Sequence, residues 1–215
     1  MKYIYHLSTS NTPYYIYKLQ SRDYIVYILK QHNIKSFLII HGFVHLTQIF
    51  SNHTNISLGL FGDDQIIDIP HSKHSQIQYY QITAITKTYL AVLQIRELYK
   101  ALANNVIFSD YIIQNYKKTI DNYSKSHNIV VHPYIKYRFI QLLFFLSQEF
   151  GQIYNKKVFI PFKISHSQIA KIIGTKKSNI TKLILFYAPY VQINYNNKNT
   201  VCLHKIIYLI QNYTY

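Results

Sequence analysis

Acidic residues are scarce in this sequence: eight Asp and Glu stand against 23 Lys and Arg among 215 residues, a formal net charge of +15. The imbalance is greatest at the C-terminal end, where nine lysines and no acidic residue follow Glu149. A long segment with charge of one sign favours a polyanionic partner, and nucleic acid is the first class to consider. A solubilising surface is the alternative, although such surfaces usually mix both signs.

Cysteine is almost absent as well. The single Cys202 excludes an intrachain disulfide framework, a Cys₄ zinc site and a Cys-ligated iron–sulfur cluster. The longest apolar run, near Phe139–Leu146, falls far short of the ~18–20 residues that span a membrane. Residues 1–17 show no signal-peptide pattern. We therefore expect a soluble intracellular protein with no metal site and no membrane partner.

Catalytic patterns are missing too. The acidic residues are too sparse for a paired-carboxylate site, and no glycine-rich phosphate-binding loop is present. The sequence therefore does not predict an enzyme, and a barrel enzyme with a basic tail is kept only as an alternative.

Residues 14–93 are rich in Ile, Val, Tyr and Phe, with polar or glycine interruptions about every ten residues. This spacing predicts short strands that form a barrel or a sandwich. The predicted strands are 14–19, 24–29, 36–40, 43–50, 56–61, 77–85 and 89–95.

The hydrophobic period then changes to a helical one. Residues 95–103 are helical in character, and a second helix is predicted from Val106. In it, Ile113, Tyr116, Ile120 and Tyr123 recur at spacings of three and four. Such a stripe predicts either a seam that pairs two copies of the chain or a face packed on the chain's own core.

The C-terminal third predicts two short helices joined by a tight turn. Ser165 and Gln168 form a capping-box pattern, and Gly174 supplies a left-handed turn residue. Thr175 is expected to cap the second helix, 176–186. Ala170 and Ile180 have the sizes that a crossing of two helices requires, so the pattern favours a helix-turn-helix over an ordinary helical hairpin.

Segments on both sides of this motif complete a small domain. Pro133 lies one residue inside a new segment, where 134–150 followed by Gly151 predicts a helix with proline first and glycine last, and a strand is predicted at 158–162. Two β-type segments, 190–194 and 200–204, flank an Asn-rich turn and predict a hairpin, or wing. The predicted domains are 1–104, rich in strands; 105–132, a long helix and hinge; and 133–215, a winged helix-turn-helix.

Three segments, 164–170, 173–175 and 180–183, resemble the DNA-binding domain of the cyclic-AMP receptor protein superfamily. Within it, the global nitrogen regulators of cyanobacteria are similar at 142–151, and the strand-Gly-strand pattern of 37–46 resembles the superfamily's barrel. The resemblance implies an α+β fold with a cyclic-nucleotide-binding-like barrel, a long dimerisation helix and a winged helix-turn-helix. With 23 Tyr and 12 Phe, and with abundant Ile, Asn and Lys, the composition indicates an AT-rich coding bias. Together with the resemblance, this bias suggests a red-algal plastid copy in the chloroplast stroma, or otherwise a cytoplasmic protein.

This resemblance implies a sequence-specific transcription regulator related to nitrogen control. Double-stranded DNA, a second copy of the chain and RNA polymerase are the expected partners. A non-specific nucleic-acid-binding or architectural protein on the same scaffold remains the alternative.

The resemblance also implies which residues contact DNA. Lys177, Ser178 and Lys182 match the base-reading positions of the recognition helix. Phosphate contacts are expected from Ser165, Ser167, Thr175, Lys176, Thr181 and Lys198. Capping of the helices explains the serines and threonines equally well.

The effector positions of the nitrogen regulators are altered in this sequence. The segment that lies against 2-oxoglutarate in those proteins matches Ile67, Asp68 and Ile69 here, and Gln78 stands where an arginine is expected. Lys118 is the nearest cation to the second arginine position. A dicarboxylate requires cations and amide donors, and Asp68 would repel it. We therefore expect no cofactor and no binding of 2-oxoglutarate or cyclic AMP.

Overall fold

The computed structural model describes residues 2–28, 34–69, 77–103, 105–154, 157–160, 162–188, 191–194 and 200–203. Within these ranges the chain forms six helices and twelve strands. It divides into two compact units, Met1–Ser126 and His127–Tyr215. In the described part of the chain, no helix has both the length and the hydropathy that crossing a bilayer requires.

The N-terminal unit consists of a short helix, eight strands, a second helix and most of a long third helix, whose last five residues belong to the C-terminal unit. In chain order these are α1 (Lys2–Thr9), β1 (Tyr15–Leu19), β2 (Tyr24–Tyr27), β3 (Lys35–His41), β4 (Val44–Phe50), β5 (Asn55–Phe61), β6 (Ile66–Asp68), β7 (Ile77–Ala84), β8 (Thr88–Gln94), α2 (Ile95–Ala103) and α3 (Val106–Val131). The strand and helix bounds predicted from sequence agree to within two residues. The short elements α1 and β6 were not predicted.

The eight strands pair as two antiparallel four-stranded sheets, β1-β8-β3-β6 and β2-β7-β4-β5. Side chains that alternate along the strands fill the space between the sheets, as Phe37 and Ile39 do on β3 and Tyr80 and Ile82 do on β7. Within the described ranges the strands form two separate sheets, and the pairing does not close them into a barrel.

Gly42 joins β3 to β4 in the strand-Gly-strand segment. Its φ is +104°, and a Cβ at this position would lie 2.6 Å from the Lys87 carbonyl oxygen. Its amide donates to the Asp63 carboxylate at 2.7 Å. Only glycine fits both the backbone conformation and the close approach.

The outer face of the first sheet is covered by helices. Tyr3 and Leu7 of α1 are fully buried there, together with Leu98 of α2 and Phe108 of α3. The Tyr3 hydroxyl donates to the Asp64 carbonyl oxygen at 2.5 Å and accepts from Asn115 Nδ2 at 2.8 Å. These two bonds fasten α1 to both the sheet and α3.

The buried face of α3 is unusually polar below its first turns. Thr119 Oγ1 accepts from the Ile66 amide at 3.0 Å, and Asn122 Nδ2 donates to the Leu60 carbonyl oxygen at 3.4 Å. The helix therefore packs along β5 and β6 through side chains that satisfy strand-end backbone groups, which would otherwise be costly to bury.

The C-terminal unit contains three helices and one antiparallel sheet of order β11-β12-β10-β9. Its elements are α4 (Ile135–Phe150), β9 (Gln152–Tyr154), β10 (Lys157–Ile160), α5 (His166–Ile173), α6 (Lys177–Phe186), β11 (Val191–Asn194) and β12 (Thr200–Leu203). The predicted hairpin is present, with Asn194 opposite Thr200. Pro133 lies two residues before α4 rather than inside its first turn, and β9 was not predicted.

Candidate nucleic-acid interface

The first helix of the predicted motif begins with a complete capping box. The Ser165 hydroxyl accepts from the Gln168 amide at 3.2 Å, and the Ser165 amide donates to Gln168 Oε1 at 2.8 Å. Two of the amide groups at the helix start are thus satisfied, and the start of α5 is fixed at the residue that the sequence indicates.

A tight turn follows at Gly174, whose φ of 67° and ψ of 50° are left-handed. The Thr175 amide donates back to the Ala170 carbonyl oxygen at 2.9 Å and closes the turn. Ala170 and Ile180 are both buried. The two helices therefore meet as the sequence pattern requires, with a small residue on one and an aliphatic plug on the other.

Replacing Gly174 with alanine should destabilise the C-terminal unit by about 1–2 kcal/mol, because an L side chain in the left-handed region is strained. The cost is conformational, since a Cβ at this position would meet only Arg138 Nη1, at 3.6 Å. Unfolding in urea measures this loss in the free energy of unfolding. Gly174→Asn is the control and should cost less, because asparagine tolerates this conformation. Equal stability of Gly174→Ala and the wild type would contradict the assignment.

The second helix begins differently from the prediction. Lys176 is the N-cap of α6 and makes no side-chain capping bond, whereas Thr175 was expected to cap it. Thr175 Oγ1 instead accepts from Asn179 Nδ2 at 3.0 Å. The side chain of Thr175 therefore braces the first turn of α6 from one residue upstream of the cap.

The predicted DNA-contacting residues divide into an exposed and a braced group. The exposed residues are Ser167, Lys176, Lys177, Ser178 and Lys182. Ser165, Thr175 and Thr181 are half-buried, and each is hydrogen-bonded within the motif. Lys198 lies outside the described residues. The exposed group presents three cations on or beside the first two turns of α6, while the braced group holds the helices in place.

His166 is a member of this motif that the sequence did not single out. Its Nδ1 hydrogen-bonds to Thr181 Oγ1 at 3.1 Å, and the Thr181 hydroxyl donates to the Lys177 carbonyl oxygen at 3.2 Å. Burial lowers the pKa of His166 below its ordinary value, and the charge of Lys177 lowers it further. A neutral imidazole thus joins α5 to α6 at neutral pH. Nothing in the local spacing of residues marks His166 for this role.

The four residues of the predicted stripe along α3 have two kinds of surroundings. Ile113 and Ile120 are 52% and 63% exposed, as a seam between copies requires. The Tyr116 hydroxyl instead donates to the Asp68 carboxylate, and the Tyr123 ring packs on Phe61 of the same unit, with centroids 4.7 Å apart. Tyr116 and Tyr123 contact the chain's own sheets because they lie about 60° around the helix from the isoleucines, and their part in a seam between copies stays a prediction.

Val106 lies on the same exposed face of α3 as Ile113 and Ile120. It is 77% exposed and lies seven residues before Ile113, which in turn lies seven before Ile120. A seven-residue repeat keeps side chains on nearly one line of a helix. The outer face of α3 therefore carries a stripe of Val106, Ile113 and Ile120.

The positions matched to the effector site have separate environments. Ile67 and Ile69 are buried in the core between the sheets, whereas the side chains of Gln78 and Lys118 are exposed. Asp68 is held by Tyr116, and burial raises the pKa of its carboxyl above the ordinary value. This acidic group and its aromatic neighbours lie where an anion-binding segment was expected from the resemblance.

Comparison with known proteins gives relatives over most of the chain, although no protein-family model matches it. An HTH-type transcriptional regulator of Porphyra purpurea, ycf28, is 23% identical over 202 residues, which cover 93% of this chain and 82% of that protein. The global nitrogen regulator of Synechococcus elongatus is 22% identical over 150 residues, 69% of this chain and 68% of that protein.

A solved structure shows the same fold. The match is a transcriptional regulator of the CRP family from Thermus thermophilus, with a TM-score of 0.68 at 12% identity, covering 91% of this chain and 95% of that one. Its fold and the sequence relatives agree with the resemblance found in segments 164–183. The chain is therefore similar in sequence to an HTH-type transcriptional regulator and to the global nitrogen regulators, and it has the fold of a CRP-family regulator.

Proposed function

We propose that this protein is a transcription regulator that binds double-stranded DNA sequence-specifically as a homodimer. The observation that carries the proposal is the exposed cluster of Lys176, Lys177 and Lys182 on a helix-turn-helix, in a stretch of chain without acidic residues after Glu149. A two-helix motif of this kind places its second helix in the major groove.

In this proposal α6 is the recognition helix and the β11–β12 hairpin is the wing of a winged helix-turn-helix. Lys177, Ser178 and Lys182 read base edges, and their exposure is consistent with that role. Lys176 and Ser167 meet phosphates, which position a protein without specifying sequence. The hydroxyls of Thr175 and Thr181 act inside the motif, since both are engaged in hydrogen bonds there.

The second copy pairs through the outer face of α3. Val106, Ile113 and Ile120 form an exposed apolar stripe on a helix of 26 residues. Two such helices around a two-fold axis bury the stripe and place two recognition helices at half-sites about one DNA turn apart. The N-terminal sheets are then the effector-type, cyclic-nucleotide-binding-like domain of the superfamily.

The same proposal includes no small-molecule effector of the family type. We expect 2-oxoglutarate to give no calorimetric heat and no thermal shift at millimolar concentration, because Asp68 would repel a dicarboxylate and Lys118 is directed to solvent. Titration of the purified protein measures this. Binding tighter than about 1 mM, about 4 kcal/mol, would contradict it. Lys118→Gln would then show whether that cation compensates.

The cellular setting follows from the relatives and from composition. The relatives are an HTH-type regulator of a red alga and nitrogen regulators of cyanobacteria, and the coding bias favours an organelle genome. We place the protein in the plastid stroma, acting with RNA polymerase in nitrogen control, and assign it no enzymatic activity.

Selection of bound duplexes from a random pool tests the proposal. A regulator should enrich a two-fold symmetric site and bind it more than about 10³-fold more tightly than random DNA. Equal affinity for selected and random duplexes would instead favour the non-specific or architectural protein.

A further inference from the structure

One side chain joins three segments of the C-terminal unit. Arg138, in the first turns of α4, donates from Nε to the His132 carbonyl oxygen at 2.5 Å and from Nη1 to the Ile173 carbonyl oxygen at 3.2 Å. His132 is the first residue after α3, and Ile173 is the last residue of α5. One guanidinium therefore connects the end of the long helix to the turn of the helix-turn-helix motif.

The chemistry of both contacts requires arginine. The acceptors lie at the C-terminal ends of helices, where carbonyl groups lack intrahelical partners and the helix dipole is negative. A guanidinium carries its donors in a rigid plane and can serve two carbonyls at once, whereas a lysine ammonium is a single point of charge. Charge assistance strengthens each bond.

The segment that Arg138 holds is short. Residues 132–134 connect α3 to α4, and Pro133 and Tyr134 are exposed. The Tyr134 amide donates to His132 Nδ1 at 3.3 Å, and the His132 ring packs edge-on against Tyr137 with centroids 4.9 Å apart. These contacts fix the connection to the start of α4, and Arg138 extends the constraint to the end of α5.

We propose that Arg138 is a positioning residue for DNA binding, which holds the α5–α6 turn, and with it α6, at a set orientation to the C-terminal end of α3. The inference rests on the proposed function. In a dimer that binds two half-sites, the distance between the two recognition helices must match the distance between the half-sites. Without the two hydrogen bonds of Arg138, the capping box and the Gly174 turn still stabilise the α5–α6 motif. The motif can then rotate about residues 132–134 relative to the C-terminal end of α3.

The test measures tolerance of half-site spacing. The duplexes are the selected site and the same site with one or two base pairs inserted between its halves. Wild-type protein should reject the lengthened sites. Arg138→Gln should bind the selected site about tenfold more weakly, about 1.4 kcal/mol, and should bind the lengthened sites nearly as well as the selected one.

Two further variants separate geometry from charge and from stability. Arg138→Lys keeps the charge but cannot reach both carbonyls, so it should lose spacing preference as Arg138→Gln does. Lys171→Gln removes an exposed charge two residues before Ile173 and should keep the wild-type preference. A protein that is only destabilised loses active fraction on all sites alike, which leaves the ratio between sites unchanged.

An unchanged ratio in Arg138→Lys would overturn the inference. If the wild type prefers no duplex at all, the proposed function fails, and hydrogen exchange at the Thr175 amide, which donates to the Ala170 carbonyl oxygen, still tests the bridge. Faster exchange of the Thr175 amide in Arg138→Lys than in the wild type supports the positioning role of Arg138, and equal rates overturn it.

Discussion

The variant Ile120→Asp should be a monomer that no longer binds its operator. Ile120 is largely exposed in its own unit, so the substitution leaves the folded chain intact. Near a two-fold axis each new carboxylate faces its own copy, and burying unpaired charges costs about 3–5 kcal/mol. The dissociation constant of the dimer should therefore rise by more than about 100-fold. Light scattering should show the mass fall from twice 25.6 kDa to 25.6 kDa.

Operator affinity should fall together with the dimer, because a single recognition helix contacts one half-site only. Val26→Asp is the matched control, since Val26 is 43% exposed on β2, at the opposite edge of its sheet from β5, along which α3 packs. This control should remain dimeric and bind normally. A wild-type protein that is monomeric at micromolar concentration, or an Ile120→Asp dimer as stable as the wild type, would contradict the proposed interface.

The two helices α5 and α6 and the tight turn between them were predictable because their determinants are local. Ser165 and Gln168 specify the start of α5 through reciprocal bonds three residues apart, and Gly174 specifies its end through a backbone conformation that few other residues adopt. Thr175 was misjudged by one residue because threonine at this point can either cap the helix or bond to a side chain one turn ahead, and Asn179 decides between the two.

The contacts of α3 were less predictable because they depend on distant residues. A stripe at spacings of three and four shows which side chains share a face, but not which surface covers that face. Tyrosine fits either a dimer seam or a sheet edge, and the Asp68 and Phe61 partners of Tyr116 and Tyr123 are far from them in the sequence. Helix α1 escaped prediction because only Tyr3 and Leu7 turn inward in its eight residues.

Lys177→Ala should weaken binding to the selected operator by about 1–3 kcal/mol and relax the base preference at one position of each half-site. Lys177 is exposed at the first position of α6, where a recognition helix reaches base edges. A bond to a base edge depends on which base is present, so its loss changes preference as well as affinity. Binding to the operator and to its single-base variants measures both effects.

Lys171→Ala is the matched control, because Lys171 is an exposed lysine in the last turn of α5, outside the recognition helix. The Lys171→Ala variant should bind all sequences equally more weakly if Lys171 contacts a phosphate, and it should bind like the wild type if Lys171 faces only solvent.

An NMR titration of His166 reports independently on the position of the Lys177 side chain. Since the charge of Lys177 lowers the pKa of His166, Lys177→Ala should raise that pKa toward 6.5. If Lys177→Ala lost affinity equally on operator and random DNA, α6 would not be reading bases, and the protein would bind nucleic acid through charge alone.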